Sequence, residues 1–146
     1  GVLSKPSLYL SLYFKKHRNQ YCQMFNYVRE TGDWERWVQF FLDGVIMAAS
    51  AATGLAQRVC HMLEHDRTRI AQLGRVRGTV EMIFDAFLQK PMLAVVTAAQ
   101  DAGVTFPTAQ KAIDTLVDMG IIEEISGKQR DRIYSYTQYL ALLERE

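Results

Sequence analysis

Three side chains recur on one edge of what the spacing predicts is a helix. Thr108, Lys111 and Thr115 fall within a narrow arc at about 100° per residue. Two hydroxyls and one cation suit phosphate oxygens and base edges. Gln110 lies outside that arc and reaches an adenine edge only in a tilted docking pose. Further along, Lys128, Arg130 and Arg132 surround a turn at Gly127, where cations can meet phosphates or a minor groove. These residues form a candidate DNA-contacting set. Arg67, Arg69, Arg75 and Arg77 are positioned to add backbone contacts or to be a solvated linker. Asp114 and Asp118 oppose the set, because either would repel phosphate if it faced a groove. The alternative for the three turn cations is a solvated hairpin tip, whose charges keep a strand edge from pairing.

Other chemistry is poorly supported. His61 and His65 stand four apart beside Cys60, a spacing that could hold zinc, but Met62-Leu63-Glu64 intervenes and no HExxH pattern exists. No glycine-rich phosphate loop is present and nothing places a nucleophilic triad. No catalytic residue and no metal ligand is assigned. Cys22 and Cys60 form no CxxC pair and lie in helical patterns, which predicts two buried, reduced thiols and a cytoplasmic protein.

The elements that would carry these side chains are mainly α. Thr97 to Val104 predicts a short helix and its turn. Thr105 to Gly120 predicts a longer helix, with Thr105 capping it through its hydroxyl, Pro107 tolerated in the first turn, and Gly120 as the left-handed stop. Phe106, Ala109, Ile113, Leu116 and Val117 form its apolar side. Two strands, Ile121 to Ile125 and Arg132 to Tyr136, enclose the turn, and Val95-Val96 offers a third. Val80, Ile83, Phe84 and Leu88 give a preceding helix an apolar face, ended by Pro91, and Tyr139 to Leu143 reads as a closing helix. Helices beside a small hairpin fit a winged helix-turn-helix over 79–146.

Residues 1–73 read as a helical region. Ser4 is the expected first N-cap with Pro6 in the first turn, Thr31-Gly32 ends the first long pattern, and Asp33 caps the next. Gly44 and Gly54 mark either close helix contacts or a break. The stripe of Tyr9, Tyr13, Phe14, Tyr21, Trp34, Trp37, Phe40 and Phe41 is read as core packing. Gln72 to Gly78 is the expected boundary, with the linker at 73–78.

Composition bounds the rest. Forty-nine per cent of the chain is hydrophobic, which excludes a disordered polymer. The net charge of +1 conceals a gradient: residues 79–146 hold six Lys or Arg against ten Asp or Glu, a net of −4. Tight, nonspecific nucleic-acid binding usually needs the opposite sign. No apolar run is expected to reach bilayer length, no signal peptide is visible, and no membrane partner is expected.

The stretch Pro6-Ser7-Leu8-Tyr9-Leu10-Ser11-Leu12-Tyr13-Phe14-Lys15-Lys16-His17-Arg18-Asn19-Gln20-Tyr21 resembles the segment just after the catalytic motif of Fic-domain proteins. Gly32-Asp33-Trp34-Glu35-Arg36-Trp37-Val38-Gln39-Phe40-Phe41-Leu42-Asp43-Gly44-Val45 resembles the next block of that family. Phe106-Pro107-Thr108-Ala109 and Gly120-Ile121-Ile122-Glu123-Glu124 resemble its C-terminal winged helix. The resemblance spans about Val2 to Tyr139. It implies a bacterial, cytoplasmic parent that transfers AMP from ATP, with Mg, onto hydroxyl side chains of target proteins. The family's signature, a His followed by a Gly-Asn-Gly-Arg loop, is absent between Gly1 and Glu146, so no catalytic residue carries over. The resemblance places that signature upstream of Gly1 and makes these residues a C-terminal piece, with 1–73 the end of a Fic-type helical domain and no cofactor of its own. Two functions remain open at this level: a DNA-binding regulatory module, or a protein-interaction and homodimerisation module without DNA binding.

Overall fold

The structure is a computed structural model and describes residues 10–144. The expected cap at Ser4, Pro6 in the first turn, and Leu8 and Tyr9 of the apolar stripe lie outside the described residues. Among the described residues the order is α1 (Leu10–Lys16), α2 (Arg18–Thr31), α3 (Glu35–Ala71), α4 (Arg77–Gln89), β1 (Met92–Ala94), α5 (Val95–Ala102), α6 (Phe106–Asp118), β2 (Glu123–Glu124), β3 (Ile133–Ser135) and α7 (Thr137–Glu144). The protein is mainly α, with one small antiparallel sheet of order β1-β3-β2 among those residues. It divides into two compact units, Gly1–Gln57 and Arg58–Glu146. That division falls inside α3, whereas the expected linker at 73–78 marks the connection from α3 to α4.

In the first unit, the helix expected to run unbroken to Thr31 is interrupted at His17, which leaves helical geometry at φ −107° and ψ 32°. Its stop is built as expected. Gly32 sits in the left-handed region at φ 72° and its N–H reaches the Val28 carbonyl at 2.8 Å. The Thr31 hydroxyl donates to the Tyr27 carbonyl at 2.8 Å, and the Asp33 carboxylate accepts the Glu35 N–H at 2.9 Å to start α3.

Aromatic rings fill the space between these helices. Phe14 lies 5.3 Å from Tyr21 and 6.0 Å from Phe40, and Trp37 stacks on Phe41 at 5.5 Å. Gly44 is needed where α3 passes α1: a Cβ there would lie 2.6 Å from Tyr13 Cδ1. Burial is nonetheless shallow. Val28 and Phe40 are buried, while Trp34 of the predicted stripe is 57% exposed.

α3 continues through Gly44 and Gly54 for 37 residues. By length and composition it qualifies to cross a membrane, with an 18-residue window of mean hydropathy 1.4. This corrects the expectation that no apolar run reaches that length; the segment 37–57 carries a single charge, Asp43.

The second unit has a deep core. Val80, Ile83, Phe84 and Phe87 of α4 are buried against Val95, Ala98 and Ala99 of α5 and Ala109, Ala112, Ile113 and Leu116 of α6. The alanines let the three helices approach closely, and the aliphatic side chains fill the space between them. Ile121, Ile122 and Tyr134 close the core from the hairpin side. β3 pairs with both neighbours, Tyr134 lying opposite Leu93 and Glu124. Val95 and Val96, the expected third strand, are instead the first turn of α5, and the strand lies just before them. Pro91 does stand one residue past the last position of α4's C-cap, Lys90.

One polar group is tied into this core. Asp66 of α3 is 3% exposed and accepts a hydrogen bond from the Tyr136 hydroxyl at 2.5 Å. Tyr136 is fully buried, with Phe84 edge-on at 5.6 Å. Burial, and then the Asp66 carboxylate, hold its hydroxyl far above the usual tyrosine range.

Candidate nucleic-acid interface

α5 ends at Gly103, in the left-handed region at φ 66°, and its N–H bonds back to the Gln100 carbonyl at 3.2 Å. Three residues later α6 begins. Thr105 is extended at ψ 154°, and Pro107 sits in the first turn where no helical bond is lost. The Thr105 hydroxyl does not cap the helix as expected. It meets the Thr108 hydroxyl at 2.8 Å, while its carbonyl accepts the Ala109 N–H at 2.9 Å. Gly120, at φ 67°, ends the helix as anticipated.

With Ala109, Ala112, Ile113 and Leu116 buried, the opposite face of α6 is outward. Thr108, Lys111, Asp114 and Asp118 are exposed, and Thr115 and Gln110 are half-buried. Phe106, expected on the apolar side, is 51% exposed instead.

The turn between β2 and β3 is organised by Glu124, which sequence inspection missed. Its Oε1 accepts the N–H groups of Ser126 at 2.7 Å and Gly127 at 3.0 Å, and the Ser126 hydroxyl. The Ser126 hydroxyl bond first, then the backbone donors and the Arg132 charge, hold the Glu124 carboxyl below its ordinary range. Gly127 adopts φ 61° and Asp131 φ 52°, so the turn needs two left-handed residues. Arg132 is partly committed, its Nε donating to the Lys128 carbonyl at 3.1 Å. Lys128 and Arg130 stand exposed at the tip.

Two clefts run between α6 and this turn. The larger, about 550 Å³, is lined by Val96, Phe106, Gln110, Asp114, Arg130 and Arg132 among others. The smaller, about 400 Å³, includes Asp114, Val117, Glu124, Lys128 and Arg132. The structure therefore brings Gln110 together with Arg130 and Arg132, while Lys128 lines the smaller cleft. Thr108, Lys111 and Thr115 line neither cleft. They occupy the other edge of the outward face, and both hydroxyls are engaged locally, Thr115 donating to the Lys111 carbonyl at 2.9 Å. The residue placed outside the arc on helical spacing is the one beside the turn. The spacing alone gave no sign of this, because it does not say on which side of α6 the hairpin returns.

Charge in the clefts is mixed. Asp114 and Asp131 sit with Arg130 and Arg132, and Asp114 accepts the Gln110 amide at 2.8 Å. The arginines ahead of the second unit's core are mostly committed. Arg67 pairs with Asp85 at 2.7 Å, Arg77 with Glu81 at 2.9 Å, and Arg69 donates to the Met119 carbonyl at 2.5 Å. Arg75 is exposed.

One further expectation changes. Cys22 and Cys60 are both exposed rather than buried. His65 leans on Asp66, with Nδ1 3.3 Å from Oδ1, and His61 is exposed; among the described residues no group of three His, Cys, Asp or Glu comes together that could hold a metal ion. No protein-family model matches the chain.

Proposed function

We propose that residues 79–146 form a winged helix-turn-helix and bind duplex DNA, with α6 as the groove-facing helix and the Ser126–Asp131 turn as the wing. The observation that carries this reading is the cationic turn standing beside the outward face of α6, across a cleft that Gln110 shares with Arg130 and Arg132. Gln110 supplies an amide suited to an adenine edge, and Lys111 supplies a phosphate contact from the free side of the helix. Lys128 and Arg130 add backbone contacts. The net charge of −4 over this region keeps the nonspecific phosphate attraction weak, so binding is expected to be modest in affinity, with a salt dependence set by the few phosphate contacts of Lys111, Lys128 and Arg130.

The test is fluorescence anisotropy of mixed-sequence duplex DNA at low salt. Binding should weaken as salt rises, and replacing Lys128 and Arg130 by Ala should flatten that dependence by roughly one unit of slope per lost phosphate contact. Affinity no higher than that of an unrelated acidic protein would remove the proposal. A second reading has its own support. Acidic side chains interleaved with the arginines, next to exposed Phe106 and Val96, also suit a protein surface, and retained binding of a protein target without DNA affinity would select it.

We also propose that the parent is a cytoplasmic Fic-type AMP-transferring protein. The two N-terminal blocks, Pro6 to Tyr21 and Gly32 to Val45, support this. ATP and Mg belong to that parent, and no step of its reaction is derived from the residues present. The residues encoded before Gly1 are the check: a His followed by a Gly-Asn-Gly-Arg loop is expected there. The chain alone should transfer no AMP from ATP to protein.

A further inference from the structure

The first unit carries a feature that neither reading uses. Along α3, Val38, Leu42, Val45, Ala49, Ala52 and Ala56 follow one another at alternating spacings of four and three. That is the spacing of a heptad seam, which keeps one helix face in contact with another over several turns. Among the described residues the seam is open at Val38, Leu42 and Ala56 and half-buried at Val45, Ala49 and Ala52. Val38 is 44% exposed, Leu42 52% and the flanking Ile46 63%. Asp43, the single charge in this segment, lies on another side of the helix. The aromatic cluster and Gly44 occupy the face turned toward α1.

The seam is also graded in size. Its first half is Val, Leu, Val and its second half is Ala, Ala, Ala. We infer that α3 pairs antiparallel with α3 of a second copy of this chain, about a two-fold axis level with Met47. In that register Val38 faces Ala56, Leu42 faces Ala52 and Val45 faces Ala49 of the other copy. Every large side chain meets a small one, which is how facing positions interdigitate without voids. Both copies present the same patch, so the contact is isologous and closes at two. A parallel pairing would set Ala on Ala through half the seam and leave it poorly filled. Lipid offers no register for a four-three repeat, and a spanning helix would have to carry Asp43 through hydrocarbon. The seam from Val38 to Ala56 is about 28 Å long at 1.5 Å per residue. This inference rests on neither the DNA reading nor the proposed parent.

The experiment uses the whole chain. Sedimentation velocity at tens of micromolar should show a dimer. Leu42→Asp and Ala56→Asp should each give a monomer with an unchanged far-ultraviolet circular dichroism spectrum, since both side chains are exposed. Ala52→Leu should weaken association at least tenfold, and Leu42→Ala added to it should restore association. In a Cys22→Ser, Cys60→Ser background, chains carrying Leu42→Cys should form a disulfide with chains carrying Ala52→Cys, and neither should do so with itself. A monomeric wild type, a dimer that survives both aspartate substitutions, or self-crosslinking of Leu42→Cys would overturn the inference. So would a monomer that partitions onto phosphatidylcholine–phosphatidylglycerol vesicles, which would make the seam a lipid-facing surface.

Discussion

Tyr136 shows how much one hydroxyl decides. Its bond to Asp66 links residues 70 apart and satisfies a carboxylate that is almost without solvent. Tyr136→Phe keeps the ring packed on Phe84 and removes only the donor. The variant should lose about 1–3 kcal/mol in urea unfolding, because a buried acceptor left short of partners costs more than an average hydrogen bond. The same group sets an alkaline limit. Its folded-state pKa is raised above the unfolded tyrosine value of about 10, so its stabilisation is fully present below that pH and is lost as pH rises beyond it. The midpoint of thermal unfolding should therefore fall progressively as pH rises above about 10 in the wild type, and this part of the slope should vanish in Tyr136→Phe. Two glycines give opposite expectations. Gly78, in the first turn of α4, has open space around a new Cβ, so Gly78→Ala should stabilise by about 0.5 kcal/mol. Gly44→Ala meets the Tyr13 ring, itself held against His17 and Phe40, and should destabilise by about 1–2 kcal/mol despite the better helix propensity. Paired urea melts give both signs directly.

At the scale of elements, legibility follows from punctuation. Gly32, Gly103 and Gly120 each take the left-handed conformation that a stop requires, so α2, α5 and α6 end where expected. β1 was misplaced by three residues for a physical reason. Val95 and Val96 favour strand locally, but Val95 is needed in the core as the first residue of α5, and that packing overrides the preference. The candidate interface was half legible. The residue types were visible, yet the side of α6 that meets the hairpin depends on β3 returning between β1 and β2, a long-range pairing. Glu124 escaped notice because an exposed glutamate in a strand carries no motif, although it gathers the turn's amide and hydroxyl donors. Its depressed pKa means that the turn's order is present above the ordinary glutamate value of 4.5 and is lost as pH falls through the lower folded value. The Ser126 and Gly127 amide resonances should titrate together below pH 4.5 in NMR spectra, and Glu124→Gln should abolish that transition. Titration of those amides at or above 4.5 would contradict the geometry of the turn.

Across the whole molecule, the two units differ in what holds them. The second buries residues from α3 through Tyr136 in one continuous core, whereas the first buries Val28 and Phe40 and leaves much of its aliphatic surface to solvent. Opening free energy tracks buried apolar contact, so amide exchange should be slow in α4, α5 and α6 and fast in α1 and α2. If a second copy covers the α3 seam, association adds to the stability of the first unit alone, by mass action. Exchange in α1, α2 and the 38–56 segment should then slow as protein concentration rises from about 1 to 100 µM, across the range where micromolar dimers form. Exchange in α4 to α6 should not change. The reason for that contrast is local: among the described residues the second unit's core closes on itself, and the apolar face of α3 in the first unit stays largely exposed. A concentration effect spread evenly over both units would instead point to association through the second unit, and α3 would no longer account for it.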